Sequence, residues 1–370
     1  MKLRTPMLTI RNTIPKFFWL TNKLETILSN ILWMPCTSAT TAWRYRKTFD
    51  RYAMETGCGP NFVPWQGHDF SFRGMAGVEA AVLSGAAHLL SFWGTDTIPA
   101  IRFLQKYYPD KSNTLIGGSV PATEHSVMCL GSRDNEIETF RRLIQDIYPK
   151  GIVSIVSDTW DFWLVLTKYL QELKAQIMQR DGKVVIRPDS GDPVKIVCGD
   201  PAAPSGSPQH HGAIECLWQT FGGKVNATGF KELDPHIGLI YGDSITTDRQ
   251  EAILSRLKAK GFASSNVVLG IGSYTYQHVT RDTFGFAMKA TYGEVNGEQR
   301  DIYKSPKTDG GEKHSARGLL SVVDGELIQQ CTPEQENSGD LKNVFLNGTI
   351  FVKPSLSDVR NRLADQETAS

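Results

Sequence analysis

The chain has 370 residues, with 40 Lys+Arg against 39 Asp+Glu and a formal charge of +1, so no global field favours nucleic acid or an acidic membrane. Hydrophobic residues make up 40% of it, enough for a sizeable core and too many for a disordered chain. The six cysteines form no CxxC pair, no apolar run approaches membrane-spanning length, and the start "MKLRTPMLTIRNTIPKFFWL" is broken by Pro, Arg, Asn and Lys. These features predict a cytoplasmic chain with reduced thiols and no signal peptide.

In chain order, residues 1–60 combine a short strand at Met7–Ile10 with helical pieces, the last being "TAWRYRKTFDRYAMETG", which stops at Gly57. From about 86 to 273, strand-like runs end in polar residues and helical patterns follow most of them. "HLLSFWGTD" precedes "AIRFLQKYY", "GGSVPATEHSVMCL" precedes "NEIETFRRLIQDIY", and "IVSIVSDT" precedes "WDFWLVLTKYLQELKAQIMQ". "KVVIRPDSGDP", "HIGLIYGDSIT" and "NVVLGIGS" complete the series, interrupted by the Pro/Gly/Ser loop Gly199–Ala213. This alternation predicts a parallel sheet with helices outside it, open or closed into a barrel. After about residue 284, Asn296-Gly297 and Asn347-Gly348 predict tight hairpins, and "SLSDVRNRLA" reads as a capped C-terminal helix.

Polar residues gather where the strands stop: Asp96, Glu124 and His125, Asp158, Arg187 and Asp189, Gly242 and Asp243, and Gly270, Gly272 and Ser273. In parallel α/β folds these ends converge on one face, where active sites are built. Alternation places Arg187 and Asp189 on the same face as their strand ends, an arrangement suited to a phosphorylated sugar or to a plain salt bridge. Each residue also has a local explanation. Asp96 and Asp158 suit helix N-caps, His125 a hydrogen-bonded core histidine, "LGIGSYT" a tight turn or an anion nest, and Phe70 and Phe72 core aromatics. Arg281, Lys289, Lys304 and Lys313 are solvated charges by default.

Taken together, "HDFSFRG", "FWGTDT", "PATEHS", "SIVSDTWD", "IRPDSGDP", "IYGDSIT", "GIGSYTYQHVTRDT" and "KSPKTDGGEKHSARG" resemble the nicotinamide phosphoribosyltransferase family of type II phosphoribosyltransferases, in order and over nearly the whole chain. The resemblance implies an α/β fold, an irregular TIM-like barrel with a smaller β-rich second domain. The domains implied are a partial N-terminal segment (1–60) packing with the second domain, a barrel (61–283) and a hairpin-rich domain with a C-terminal helix (284–370). It also implies a homodimer that joins nicotinamide to 5-phosphoribosyl 1-pyrophosphate with Mg²⁺, releasing pyrophosphate, in NAD salvage.

By motif position, Phe70 would stack on the pyridine ring, Asp96 would accept from the carboxamide, and Arg187 would lie along the nicotinamide near the pyrophosphate. Asp189, Gly242 and Asp243 would hold the ribose, while Gly272, Ser273 and Arg281 would hold the 5′-phosphate. Arg73 and His125 would meet the pyrophosphate, with Lys289, Lys304 and Lys313 adding positive charge. His125 would be phosphorylated by ATP, with Asp158 as its partner; no side chain is assigned to a metal. The pattern departs from the family in two places: family chains carry an N-terminal extension before "LTIRNT", and Ser273 stands where many relatives have glycine. The alternatives are a nicotinate phosphoribosyltransferase, disfavoured by the carboxylate of Asp96, and a truncated non-catalytic homologue.

Overall fold

A computed structural model describes residues 5–110, 114–242, 244–304 and 315–368, and side chains as far as residue 364. The stretch Val184–Asp189 shows how sequence becomes architecture. Val184, Ile186 and Pro188 are buried while Val185, Arg187 and Asp189 are half-buried, the period-two signature of a strand with two unlike faces.

That strand, β4 (Val184–Arg187), belongs to a parallel sheet with β1 (Gly67–Asp69), β2 (Gly94–Thr95) and β3 (Val153–Val156). A two-stranded antiparallel ribbon, β5 (Gly223–Val225) and β6 (Lys231–Leu233), precedes the last two members, β7 (Ile237–Tyr241) and β8 (Val267–Ile271). Among the described residues the sheet order is β2-β1-β8-β7-β4-β3, parallel throughout. One face is continuously apolar, with Val153, Ile155, Ile186, Leu239, Leu269 and Ile271 buried on it.

The run "GGSVPATEHS", expected as a full strand, is instead an irregular stave between the two edge strands. Gly118 bridges Gly94 of β2, and Ala122 bridges Ser154 of β3. The Ser154 N–H donates to Pro121 O at 2.8 Å and Ser154 O accepts from Thr123 N–H at 2.9 Å, one complete bridge; Pro121 has no N–H to extend it toward the start of β3, so no ladder forms. The sheet therefore curls into an irregular, TIM-like half-barrel whose edges meet through this segment.

The helices start where local chemistry starts them. Asp192 accepts from Val194 and Lys195 N–H ahead of Pro193–Cys198, and Thr246 accepts from Arg249 N–H ahead of Thr247–Ala259. Two π-helical stretches, Leu143–Ile147 and Val165–Tyr169, interrupt the helices after "GSRDN" and "SDTWD". The strand expected at Met7–Ile10 is absent, and the expected helical pieces are one continuous helix, Phe18–Glu55.

Contacts group Met34–Thr280 with Ser355–Ser370 in a larger unit, and Met1–Trp33 with Arg281–Pro354 in a smaller one. Residues 34–60 and the C-terminal helix Leu356–Thr368 thus belong with the barrel. Tyr45 and Phe49 are fully buried there, and Tyr45 Oη donates to Ile245 O at 2.8 Å. Arg360 of the C-terminal helix donates to the carbonyls of Leu89, Leu115 and Ile116, closing acceptors at the end of Val78–His88 and in the irregular segment that leads to Gly118.

Among its described residues the smaller unit contains three hairpins: β9 (Tyr292–Val295) with β10 (Glu298–Asp301), β11 (Leu320–Val323) with β12 (Glu326–Gln329), and β13 (Phe345–Leu346) with β14 (Thr349–Ile350). Asn296 and Gly297 have φ of 52° and 82°, and Asn347 and Gly348 of 48° and 90°, the left-handed pairs that a type I′ turn requires. Among the described residues no helix is long and apolar enough to cross a membrane.

Candidate active site

The site is built at the carboxyl ends of the strands, beginning with β1. His68 and Phe70, two residues apart, project from the same face, and their rings lie 4.6 Å apart between centroids. Neighbouring strands make room for them by carrying glycine. A Cβ on Gly270 would lie 2.4 Å from Phe70 Cδ2, and one on Gly94 would lie 2.7 Å from His68 Nδ1. Gly242 faces the same ring, where a Cβ would lie 3.6 Å from Phe70 Cε2 and 3.1 Å from Asp189 Oδ1. The half-buried Phe70 is therefore a ring seated on backbone, whereas Phe72 is 39% exposed and is no core aromatic. Beneath them the buried Asp69 ties the turn, accepting from Ser71 N–H at 2.9 Å and from the Thr95 hydroxyl at 3.2 Å.

Asp96 follows β2 and does not cap the next helix, whose N-cap is Thr97. Its Oδ1 accepts from His68 Nε2 at 2.9 Å and from the Ser119 hydroxyl at 2.5 Å. Burial penalises its charge. The hydrogen bond and charge of His68, the Ser119 hydroxyl and the Arg187 guanidinium outweigh that penalty and hold the carboxyl below its ordinary value. Arg187, at the end of β4, donates through Nη2 to Thr123 O, and its buried Nε meets no acceptor among the described residues.

The second cluster joins the ends of β3 and β4. Asp158, with its side chain 4% exposed, accepts from the Asp189 N–H at 2.8 Å and the Ser190 hydroxyl at 2.6 Å, both on Oδ2. The N-cap of the following helix is Asp161, which accepts from Leu164 N–H. His125 opens the short helix His125–Leu130 rather than ending a strand. Its Nδ1 lies 3.0 Å from the Thr159 hydroxyl, and its Nε2 lies 3.8 Å from Asp158 Oδ1 and 4.0 Å from Asp189 Oδ2. The sequence reading placed Asp158 as the group that orients the ring. In the structure the hydrogen bond comes from Thr159, and Asp158 Oδ2 is spent on the turn after β4.

At the end of β8, Gly272 is extended and Ser273 opens the four-residue helix Ser273–Tyr276. Ser273 packs against the turn that carries the exposed Arg73, since a Cβ on Gly74 would lie 2.0 Å from Ser273 Oγ. Behind this loop, Tyr276 hydrogen-bonds to His88 Nδ1 at 2.7 Å, while His88 Nε2 lies 3.1 Å from Gly94 O. A carbonyl can only accept, so Nε2 carries the proton and Nδ1 accepts from Tyr276. Burial drives this imidazole down to about 4, keeping it neutral.

The larger unit thus brings together Phe70, Arg73, Asp96, His125, Asp158, Arg187, Asp189, Gly242, Gly272 and Ser273. Asp243 and Lys313 lie outside the described residues. Arg281, Lys289 and Lys304 belong to the smaller unit and are exposed; Arg281 pairs with Asp282 at 3.2 Å and lines a cleft with Glu25, Ser29, Asn30 and Trp33. Sequence reasoning missed His68, Ser119, Thr159 and Ser190. Only His68 left a signal, its place two residues before Phe70 on the same strand face.

A parallel half-barrel with carboxylates, a guanidinium and a glycine-seated aromatic at its strand ends is the framework of a ligand-binding α/β enzyme. Residues 65–349 match the nicotinate phosphoribosyltransferase (NAPRTase) family, and the chain belongs to that family. A nicotinamide phosphoribosyltransferase of Acinetobacter baylyi is 54% identical over 374 residues, covering 98% of this chain and 74% of its own. Proteins of the same name from Mycoplasma pneumoniae (39% identical, covering 83% of this chain and 65% of that one) and Xanthomonas campestris pv. campestris (34%, covering 96% and 74%) are also similar. The crystal structure of nicotinate-nucleotide pyrophosphorylase from Pyrococcus furiosus shares the fold, with a TM-score of 0.52, 12% identity, and coverage of 90% of this chain and 70% of that one.

Proposed function

We propose that this chain is a nicotinamide phosphoribosyltransferase, converting nicotinamide and 5-phosphoribosyl 1-pyrophosphate to nicotinamide mononucleotide and pyrophosphate in NAD salvage. The observation that carries the reading is Asp96, a carboxylate held ionised, with Oδ1 taken by two donors, one of them the His68 ring that lies 4.6 Å from the Phe70 ring. Among the described residues no donor reaches Oδ2. An anion beside the pyridine substituent attracts a carboxamide N–H and repels the carboxylate of nicotinate, which favours the amide over the acid as substrate.

The chemistry breaks the bond between the anomeric carbon and the pyrophosphate oxygen and forms one to the pyridine nitrogen. The sugar becomes cationic while charge grows on the leaving pyrophosphate. Phe70, seated on Gly270 and Gly242, holds the ring at a fixed height. Asp189 and Gly242 hold the ribose hydroxyls close to the cationic carbon. The Nε of Arg187, buried without an acceptor among the described residues, faces the departing anion with Arg73 and His125. Preorganised donors of this kind supply roughly 3–4 kcal/mol each of transition-state stabilisation. Gly272 and Ser273 receive the 5′-phosphate.

Mg²⁺, brought by the pyrophosphate, would neutralise part of that group's charge. Its preference for several waters and one or two carboxylates suits Asp189 together with Asp158, whose buried Oδ1 has no donor among the described residues. ATP serves as phosphoryl donor to His125, the protein works as a homodimer, and it resides in the cytoplasm. Turnover of the purified chain with nicotinamide and with nicotinate, alongside its mass in solution, tests the reading. A kcat/KM for nicotinate equal to or above that for nicotinamide would transfer the assignment to the acid.

A further inference from the structure

We propose that His68 is the positioning residue that makes Asp96 selective for an amide; the inference rests on the reading of Asp96 given above. The imidazole meets the Asp96 carboxylate at 2.9 Å through Nε2 and the Phe70 ring at 4.6 Å between centroids. It therefore touches both protein groups assigned to the nicotinamide ring without being assigned to the substrate itself. Its register explains how it fits. In the parallel pairing His68 stands opposite Gly94 of β2 and Gly270 of β8, so both flanking positions lack a side chain. With its side chain only 11% exposed, the ring fills the space Gly94 leaves, while Phe70 fills that over Gly270.

The consequence for Asp96 is geometric. A carboxylate on a loop end can turn about its χ2 angle and present either oxygen. Nε2 of His68 and Oγ of Ser119 both meet Oδ1, and that pair of bonds fixes the plane of the carboxylate. Oδ2 is then left as the acceptor, with no donor on it among the described residues. The same two donors favour the ionised carboxyl, so the group can accept from an amide N–H but offers nothing to a second carboxylate. Gly94 is part of the device, because any Cβ there would displace the imidazole.

The test separates positioning from packing. His68→Leu keeps bulk and removes the donor, while His68→Gln restores an amide N–H near the position of Nε2. His68→Leu should raise KM for nicotinamide about tenfold, the effect of losing a hydrogen bond to a charged group, with kcat and KM for 5-phosphoribosyl 1-pyrophosphate within about twofold. The ratio of kcat/KM for nicotinamide to that for nicotinate should fall in parallel, and His68→Gln should recover most of it. In an Asp96→Asn background, His68→Leu should add little further loss. If His68→Leu does not fold by thermal melt, Ser119→Ala, which removes the exposed second donor to the same oxygen, should move selectivity the same way. Unchanged selectivity in His68→Leu (or, where that does not fold, in Ser119→Ala), beside a clear loss in Asp96→Asn, would overturn the role of His68 alone. Unchanged selectivity in Asp96→Asn would overturn the reading of Asp96 and this inference with it. A uniform loss in kcat and both KM values that His68→Gln fails to restore would reduce His68 to a packing residue.

Discussion

Asp158, at the end of β3, holds the backbone of Asp189, beyond the end of β4, by accepting its N–H at 2.8 Å and the neighbouring Ser190 hydroxyl at 2.6 Å. One carboxylate thereby aims another. Asp158→Ala should lower kcat/KM about a hundredfold by releasing the turn that carries Asp189, because the bonds to the half-buried Asp189 N–H and to the Ser190 hydroxyl are lost together. Ser190→Ala removes one of the two donors and should cost only a few-fold. Steady-state kinetics of both variants would check the order, and equal losses would contradict it.

Asp189 is assigned to the ribose at the transition state. Asp189→Ala should therefore lose at least about two orders of magnitude in kcat/KM, about 2.7 kcal/mol, with KM for nicotinamide little changed. Near-normal turnover would remove the ribose assignment.

Gly270 should tolerate no side chain. Its Cβ would lie 2.4 Å from Phe70 Cδ2 and 2.9 Å from Gly242 Cα, and the second contact is backbone that cannot swing away. Gly270→Ala should cost about 1–3 kcal/mol in stability and tilt Phe70, raising KM for nicotinamide more than it lowers kcat. Gly242→Ala, with its closest approach of 3.1 Å to Asp189 Oδ1, should be milder in stability and weigh more on kcat. Thermal melts and kinetics of the pair would show the contrast.

His125 should accept a phosphoryl group from ATP through Nε2, with Nδ1–H donating to the Thr159 hydroxyl and ADP leaving. Because Nε2 lies 3.8 Å and 4.0 Å from two carboxylates, the reaction should require Mg²⁺ to screen the incoming phosphate. An acid-labile, base-stable phosphate should appear on the wild type with ATP and Mg²⁺, weaken in Thr159→Val and vanish in His125→Ala. Its absence from every protein would mean that ATP does not act through this residue.

The buried His88 predicts an acid limb of stability. Its imidazole stays neutral down to about 4, while the unfolded chain takes up a proton near the ordinary value of 6.5. The unfolded state then binds more protons across that window, so stability is full above about 6.5 and falls as pH drops toward about 4. His88→Phe should lower Tm at neutral pH by stranding the Tyr276 hydroxyl, yet flatten the decline across this window. A melting series from pH 7.5 to 4 would reveal the change in slope, as an estimate of order ~1 proton.

The legible parts of this molecule are those whose physics is local. The alternation of "VVIRPD" announces a strand with Arg187 and Asp189 on one face, and Asn-Gly pairs announce turns because only such residues adopt two successive left-handed conformations cheaply. The long helix Phe18–Glu55 was read as pieces, because Pro35 and a run of Thr and Ser weaken the helical signal that tertiary burial of Tyr45 and Phe49 restores.

By itself, then, the sequence determined which strand ends would carry charge, and the order of its motifs identified the family resemblance. Only the tertiary structure decided how those charges are paired. That Thr159, not Asp158, meets the His125 ring, that Asp158 instead braces Asp189, and that His68 and Ser119 share one oxygen of Asp96 all depend on the register between strands distant in sequence. Period-two alternation specifies the face of each side chain but not its neighbour across the sheet. The stave from Gly118 to Thr123 has the same cause: its place between β2 and β3 is set by where the sheet's edges meet, and Pro121 denies it the ladder that would have made it a strand.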